Sequence, residues 1–137
     1  MLVKRFSYRP APSAIFVTVK RPLVSLDFYS PARHRWFTVA NLLADTGADL
    51  SIFPGVVGHT LLGKISHGQP VTIRGIVPGT ILKSYLHRLR CRFNGQTFSL
   101  LAAIAETDEV TAVLGRVKGL DRMIATFVKG REVQLSR

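Results

Sequence analysis

LLADTGADLS, residues 42–51, sets an acid at the end of an apolar run. The residues before it, WFTVANLLA at 36–44, are aromatic, β-branched and aliphatic, the texture of a strand that expects burial. An ionised carboxylate is costly to bury unless it is paired or changes its protonation state. Asp45 therefore needs a partner that shares its charge.

The chain has 137 residues, enough for one domain of ordinary size and not comfortably for two. A hydrophobic fraction of 47% with 20% charged residues describes a folded chain rather than a disordered one. A deep cleft would take much of the core of so small a monomer, whereas two copies could build one between them. The charge balance is strongly basic, with 19 Lys and Arg against 8 Asp and Glu and a net charge of +11. One reading of that excess is a nucleic-acid or anionic-surface partner; another is a basic surface that prefers acidic peptides. Charge alone speaks to non-specific binding and not to chemistry, so nucleic acid is not the favoured partner.

Cys91 is the only cysteine, which rules out an intramolecular disulfide and a thiolate zinc cluster; it reads as a small buried hydrophobe. The N-terminus lacks the continuous apolar core of a secretory signal, and no apolar run approaches the ~20 residues of a membrane span. The expectation is a soluble, cytoplasmic protein with no membrane partner. His34, His59, His67 and His87 share no metal-ligand spacing, and no phosphate loop, dinucleotide fingerprint or serine elbow occurs. The expectation is no metal and no cofactor.

Along the chain the texture is mostly β. Residues 1–14, with Pro10 and Pro12, read as an irregular or extended arm ahead of a single domain over 15–137. IFVTVKRPLVSLDFYS at 15–30 and the run into Asp45 read as strands joined by a turn at SPARHR. The stretch 56–68, broken by Gly58, Gly63 and Gly68, suits a short turn of helix or a loop. Residues 70–93 read as a long hairpin with IVPGT at its tip, because Pro-Gly favours a tight turn. Asn94-Gly95 and Lys129-Gly130 mark two further hairpins. The one convincing helical stretch covers about residues 116–124, although Gly119 inside it costs about 1 kcal/mol relative to Ala.

With Asp45-Thr46-Gly47-Ala48 at one strand end and Val113-Leu114-Gly115-Arg116 at another, the chain resembles the retroviral-type (retropepsin-like) single-domain aspartic proteases. IVPGT lies between the two motifs, where that family places its flap, and KRPLVSL at 20–26 resembles its N-terminal strand. The resemblance spans roughly residues 21–135. It implies a mostly β, closed acid-protease barrel with one short C-terminal helix and an active site at a two-fold dimer interface. The activity implied is that of an aspartic endopeptidase acting on a peptide or protein substrate as a homodimer.

The chemistry suits the motif. Hydrolysis without a metal or a nucleophilic side chain needs an activated water and a proton donor for the leaving amine. Two facing carboxylates that share one proton supply both, as in aspartic proteases generally. Only one Asp-Thr-Gly is present, so the second carboxylate must come from another copy. By resemblance Asp45 is catalytic, Thr46 bonds across the axis, and Gly47 lets the backbone turn and approach substrate. Gly47, Ala48 and Asp49 would hold an extended peptide like an added strand. Asp49 would pair with Arg116, with Arg21 of the other copy joining them. Ile76, Val77, Pro78 and Gly79 would form the flap over the cleft, and Pro78 departs from the glycine-rich tips common among retroviral members. MIATFVKGREVQLSR at 123–137 would supply interface strands.

Without the resemblance, Asp45 also suits a helix N-cap or turn, Asp49 a solvated turn and IVPGT an ordinary surface hairpin. Two other functional classes compete: a catalytically quiet dimeric peptide-binding module of the same fold, and a basic β-barrel that binds nucleic acid. The first gains nothing from two facing carboxylates, and the second leaves Asp45 unexplained.

Overall fold

In the computed structural model, which describes residues 2–75 and 77–137, the alternating side chains of the long strands converge on one core. β4 (Leu23–Ser30) buries Val24, Leu26, Phe28 and Ser30, and leaves the residues between them partly exposed. β8 (Ile81–Phe93) and β9 (Gln96–Ala105) add Leu89, Cys91, Phe93, Phe98 and Leu100 to the same interior. A period of two with one apolar face is what a sheet closed on itself requires. β5 (Arg35–Ala44), β6 (Ser51–Phe53) and β10 (Val113–Leu114) complete the ring in the order β4–β5–β10–β6–β9–β8, and β8 pairs back to β4. The result is a closed six-strand barrel, with β7 (Gln69–Arg74) paired to the free part of β8. Phe28 and Phe53 meet edge to face at 5.6 Å in its centre.

Turn chemistry closes the hairpins as expected. Asn94 and Gly95 both have positive φ, as do Lys129 and Gly130; this pairing gives a two-residue turn the twist of its flanking strands. The second turn joins β11 (Ile124–Val128) to β12 (Glu132–Ser136).

Residues 1–14 are not an irregular arm. β1 (Lys4–Ser7) pairs with β12 to give a three-stranded sheet, and β2 (Arg9–Ser13) forms a ribbon with β3 (Val17–Arg21). Pro10 and Pro12 stand two apart, so both fall on the side of β2 whose N–H groups point away from β3. Phe6 and Tyr8 pack against the core, so the fold does not begin at residue 15.

Of the two helical expectations, the first is met by its helical alternative and the second changes. The glycine-broken stretch contains the α-helix, α1 (Gly55–Leu62), and a 3-10 turn follows at Ile65–His67. Gly58 is there because a Cβ would collide with the side chains of Ile104 and Ile65, so its absence lets the helix seat on β9. Buried Ser30 secures the other end by donating its hydroxyl to the Leu61 carbonyl at 2.7 Å. The short helix expected over residues 116–124 is only a 3-10 turn at Leu120–Arg122. Lys118 has φ +52, and its carbonyl accepts from the Leu101 amide at 3.1 Å, which ties it to β9 instead of continuing a helix.

Cys91 is fully buried, and its thiol is pushed up to about 12, mainly by that burial and secondarily by the nearby Asp27 charge. A thiol held neutral and enclosed does not react. At about pH 8, where an ordinary thiol is partly ionised, a disulfide reagent should label Cys91 no faster than the protein unfolds. Rapid labelling of the native protein would contradict the packing. No helix among the described residues is long and apolar enough to cross a membrane.

Candidate active site

β5 delivers Asp45 to the rim of the barrel. An extra residue near Ala40 and Asn41, against the step from Val24 to Leu26, bulges the strand, and Asn41 takes φ +60. Such a bulge bends and twists its strand. Beyond it Leu42 and Ala44 are buried. β10 then lies parallel to β5, with Val113 beside Leu43 and Leu114 beside Ala44. The Asp45 amide donates to the Leu114 carbonyl at 3.1 Å, so the last bond of this ladder sets the backbone of the acid.

The chain turns immediately afterwards. The Gly47 amide donates to Asp45 Oδ1 at 2.9 Å, and the Ala48 amide donates to the Asp45 carbonyl at 3.3 Å. Asp45 thus builds its own turn, the short-range role open to any turn Asp. The turn also fixes where the carboxylate points. Asp45 is half-buried, while Thr46 and Gly47 are exposed, so in the single chain the acid sits at the barrel surface and not inside it. A side chain at Gly47 would stand 3.2 Å from Asp45 Oδ1 and crowd the carboxylate.

The two motif loops are stitched together. The Arg116 amide donates to the Ala48 carbonyl and the Val117 amide to the Asp49 carbonyl, both at 2.8 Å. Beneath them the buried Gly115 amide donates to Ser51 Oγ at 2.9 Å. Ser51 is fully buried, and sequence reasoning missed it because a serine after an Asp-Leu pair carries no distinguishing signal. Ser51→Ala leaves that amide without a partner, which costs about 1–3 kcal/mol. The expected result is a lower denaturation midpoint with an unchanged slope; an unchanged midpoint would show that the loops hold without this bond.

Asp49 and Arg116 come together as expected, with Arg116 Nη2 3.7 Å from Asp49 Oδ1. Both are exposed, so the pair contributes little by itself. Arg116 also donates from Nη1 to Asp121 Oδ2 at 3.2 Å, a second carboxylate the sequence did not single out. A regular helix would not bring positions five apart together; the irregular turn here does. Arg21 ends β3 opposite Arg9 and makes no ion pair among the described residues.

The β7–β8 hairpin ends in a turn in which the Thr80 amide donates to the Val77 carbonyl at 3.1 Å. Pro78 and Gly79, with φ +86 at Gly79, occupy the positions that a type II turn assigns to them. Val77, Pro78 and Gly79 are all exposed; Ile76 lies outside the described residues. Among the described residues no three His, Cys, Asp or Glu side chains are gathered as metal ligands would be.

A known aspartic protease has the same architecture. The structure superposes on a retropepsin-like aspartic protease from Rickettsia conorii with TM-score 0.64, covering 98% of this chain and 91% of that one at 14% identity. The fold is retropepsin-like. The retroviral protease-like domain of Ddi1 from Leishmania major is also similar, with TM-score 0.53 and 15% identity over 85% of this chain and 95% of that one. No protein-family model matches the sequence, and no curated protein matches it. The retropepsin-like fold here therefore rests on a shared backbone and not on overall sequence likeness.

Proposed function

We propose that the chain is an aspartic endopeptidase whose active site is completed when two copies bring their Asp45 carboxylates together across a two-fold axis. The observation that carries this reading is the Asp45 turn, locked to the Leu114–Gly115 loop and left at the barrel surface. One chain offers one such carboxylate. A second copy, related by an isologous interface, supplies the other.

In the dimer the two Asp45 carboxyl groups share one proton, because neighbouring like charges do not both ionise cheaply. The ionised group takes a proton from water as its oxygen adds to the scissile carbonyl carbon. The protonated group gives its proton to the carbonyl oxygen, forming a neutral gem-diol. Proton return to the amide nitrogen, with collapse of the diol, breaks the C–N bond and releases an acid and an amine. The peptide lies extended along Gly47, Ala48 and Asp49, whose main chain pairs with it like a strand. Thr46 bonds across the axis, and Arg116 holds the Asp49 loop in place, with Arg21 of the other copy beside it. Val77, Pro78 and Gly79 close over the substrate. Side-chain pockets are mainly apolar, and acidic flanking residues are preferred by a protein of net charge +11. The protein works in the cytoplasm, where an unpaired buried cysteine suits reducing conditions.

Incubation with a mixed peptide library at several pH values, with and without pepstatin, tests the reading. New amino termini that pepstatin suppresses support it. An intact library at every pH, with a protein shown to be dimeric, would favour the quiet peptide-binding module.

A further inference from the structure

The outer face of the barrel across β5, β4, β8 and β9 carries a built arrangement that the proposed protease chemistry does not use. Strand register sets Trp36 beside Tyr29, and Arg90 beside Ser99; Arg90 extends the same row, with its guanidinium 5.5 Å from both the Tyr29 and Trp36 rings. The next row is Thr38, Asp27, Arg92 and Thr97. Arg92 lies 4.2 Å over Trp36 and pairs with Asp27 at 3.3 Å, while Thr38 donates to the other Asp27 oxygen at 2.7 Å. Arg88 begins a third row beside Leu101.

That third row opens into a cavity of about 360 Å³ lined by Arg88, Ser99, Leu101, Phe98, Lys118 and Arg122, with no acidic side chain. Arg137 borders it, its guanidinium 4.2 Å over Phe98 and its Nε donating to the Arg122 carbonyl. Among the described residues none of Arg88, Arg90, Lys118, Arg122 and Arg137 forms an ion pair. Five unpaired cations thus converge on a row and a cavity, and two of them, Arg90 and Arg137, lie over aromatic rings.

We propose that this face binds single-stranded nucleic acid through its phosphates. Guanidinium forks match phosphate oxygens, and stacking on rings fixes their direction before binding. Arg88, Arg90 and Arg92 alternate along β8, about 7 Å apart, a repeat suited to an extended sugar–phosphate chain. Trp36 and Tyr29 are half-buried beneath Arg90 and Arg92, so they orient the guanidinium groups and leave the contact itself to the phosphates. A membrane fits less well, because no exposed large hydrophobic side chain lies on these rows to enter lipid. The face is independent of Asp45, so this inference stands or falls apart from the protease reading.

Fluorescence anisotropy of a labelled oligothymidine with the native protein provides the test. Five phosphate contacts predict a log–log salt slope of about −3.5 between roughly 50 and 200 mM salt. The combined variant Arg90→Gln, Lys118→Gln, Arg122→Gln should weaken binding at least about tenfold and flatten the slope by about 2. A control with equal charge loss elsewhere, Arg9→Gln, Lys20→Gln, Lys64→Gln, should change affinity by less than about twofold. Crosslinking of the native protein to a thio-substituted oligothymidine should map to β8 and residues 118–122, and needs no variant to fold. Absence of binding at low salt, equal losses in both variants, or tighter binding of polyglutamate or phosphatidylserine vesicles through the same residues would each overturn the proposal.

Discussion

Asp45→Asn should abolish peptide cleavage and leave the fold intact. The amide side chain keeps an oxygen that can accept from the Gly47 N–H, the bond now made at 2.9 Å, so the turn is preserved. The backbone of residue 45 is set by Leu114 and Ala48, which the substitution does not touch. What disappears is the capacity to take a proton from water and pass it on. Loss of such a group in the active pair should lower turnover on the order of 10³-fold or more. Thermal melting and oligomeric state should match the wild type. Cleavage at the wild-type rate would remove Asp45 from the chemistry and leave it as a turn residue.

Gly115→Ala should damage both stability and activity, for a steric reason that no rotamer relieves. A Cβ at this position would stand 2.5 Å from the carbonyl carbon and oxygen of Leu50 and 2.9 Å from the Ser51 nitrogen. These are backbone atoms, and they belong to the loop that carries Asp45. The two motif loops must separate, which weakens the Gly115 to Ser51 bond and the Arg116 and Val117 main-chain bonds together. Overpacking of this kind costs about 3 kcal/mol. Denaturation should show a clear fall in midpoint, larger than that of Ser51→Ala, and cleavage should fall with it. An unchanged midpoint would mean that the loops are not in the close contact described here.

Legibility in the sequence followed the reach of each constraint. Asn94-Gly95 and Lys129-Gly130 were readable because a tight hairpin needs positive φ at two adjacent residues, a demand met locally. The run into Asp45 was readable for the same reason, since strand texture and the following glycine are neighbours. α1 was legible only as a short turn of helix or a loop, because Gly58 looks like a helix breaker until β9 is placed against it. The 116–124 stretch misled in the opposite direction: its composition suits a helix, yet Lys118 is bound to β9 and Asp121 turns back to Arg116. Pro10 and Pro12 hid β2, since only the pairing with β3 reveals which side of the strand needs no amide. Asp45 was legible as the acid at a strand end, but its depth was not. It was expected inside a core and stands half-buried at the barrel surface; the proposed second copy would enclose it.

Mixing wild-type and Asp45→Asn chains at fixed total concentration, after exchange of subunits, tests that enclosure most directly. If each site needs a carboxylate from both copies, activity follows the square of the wild-type fraction, falling to about one quarter in an equal mixture. Activity that instead falls to about one half, in proportion to the wild-type fraction, would mean that a single chain carries a complete site.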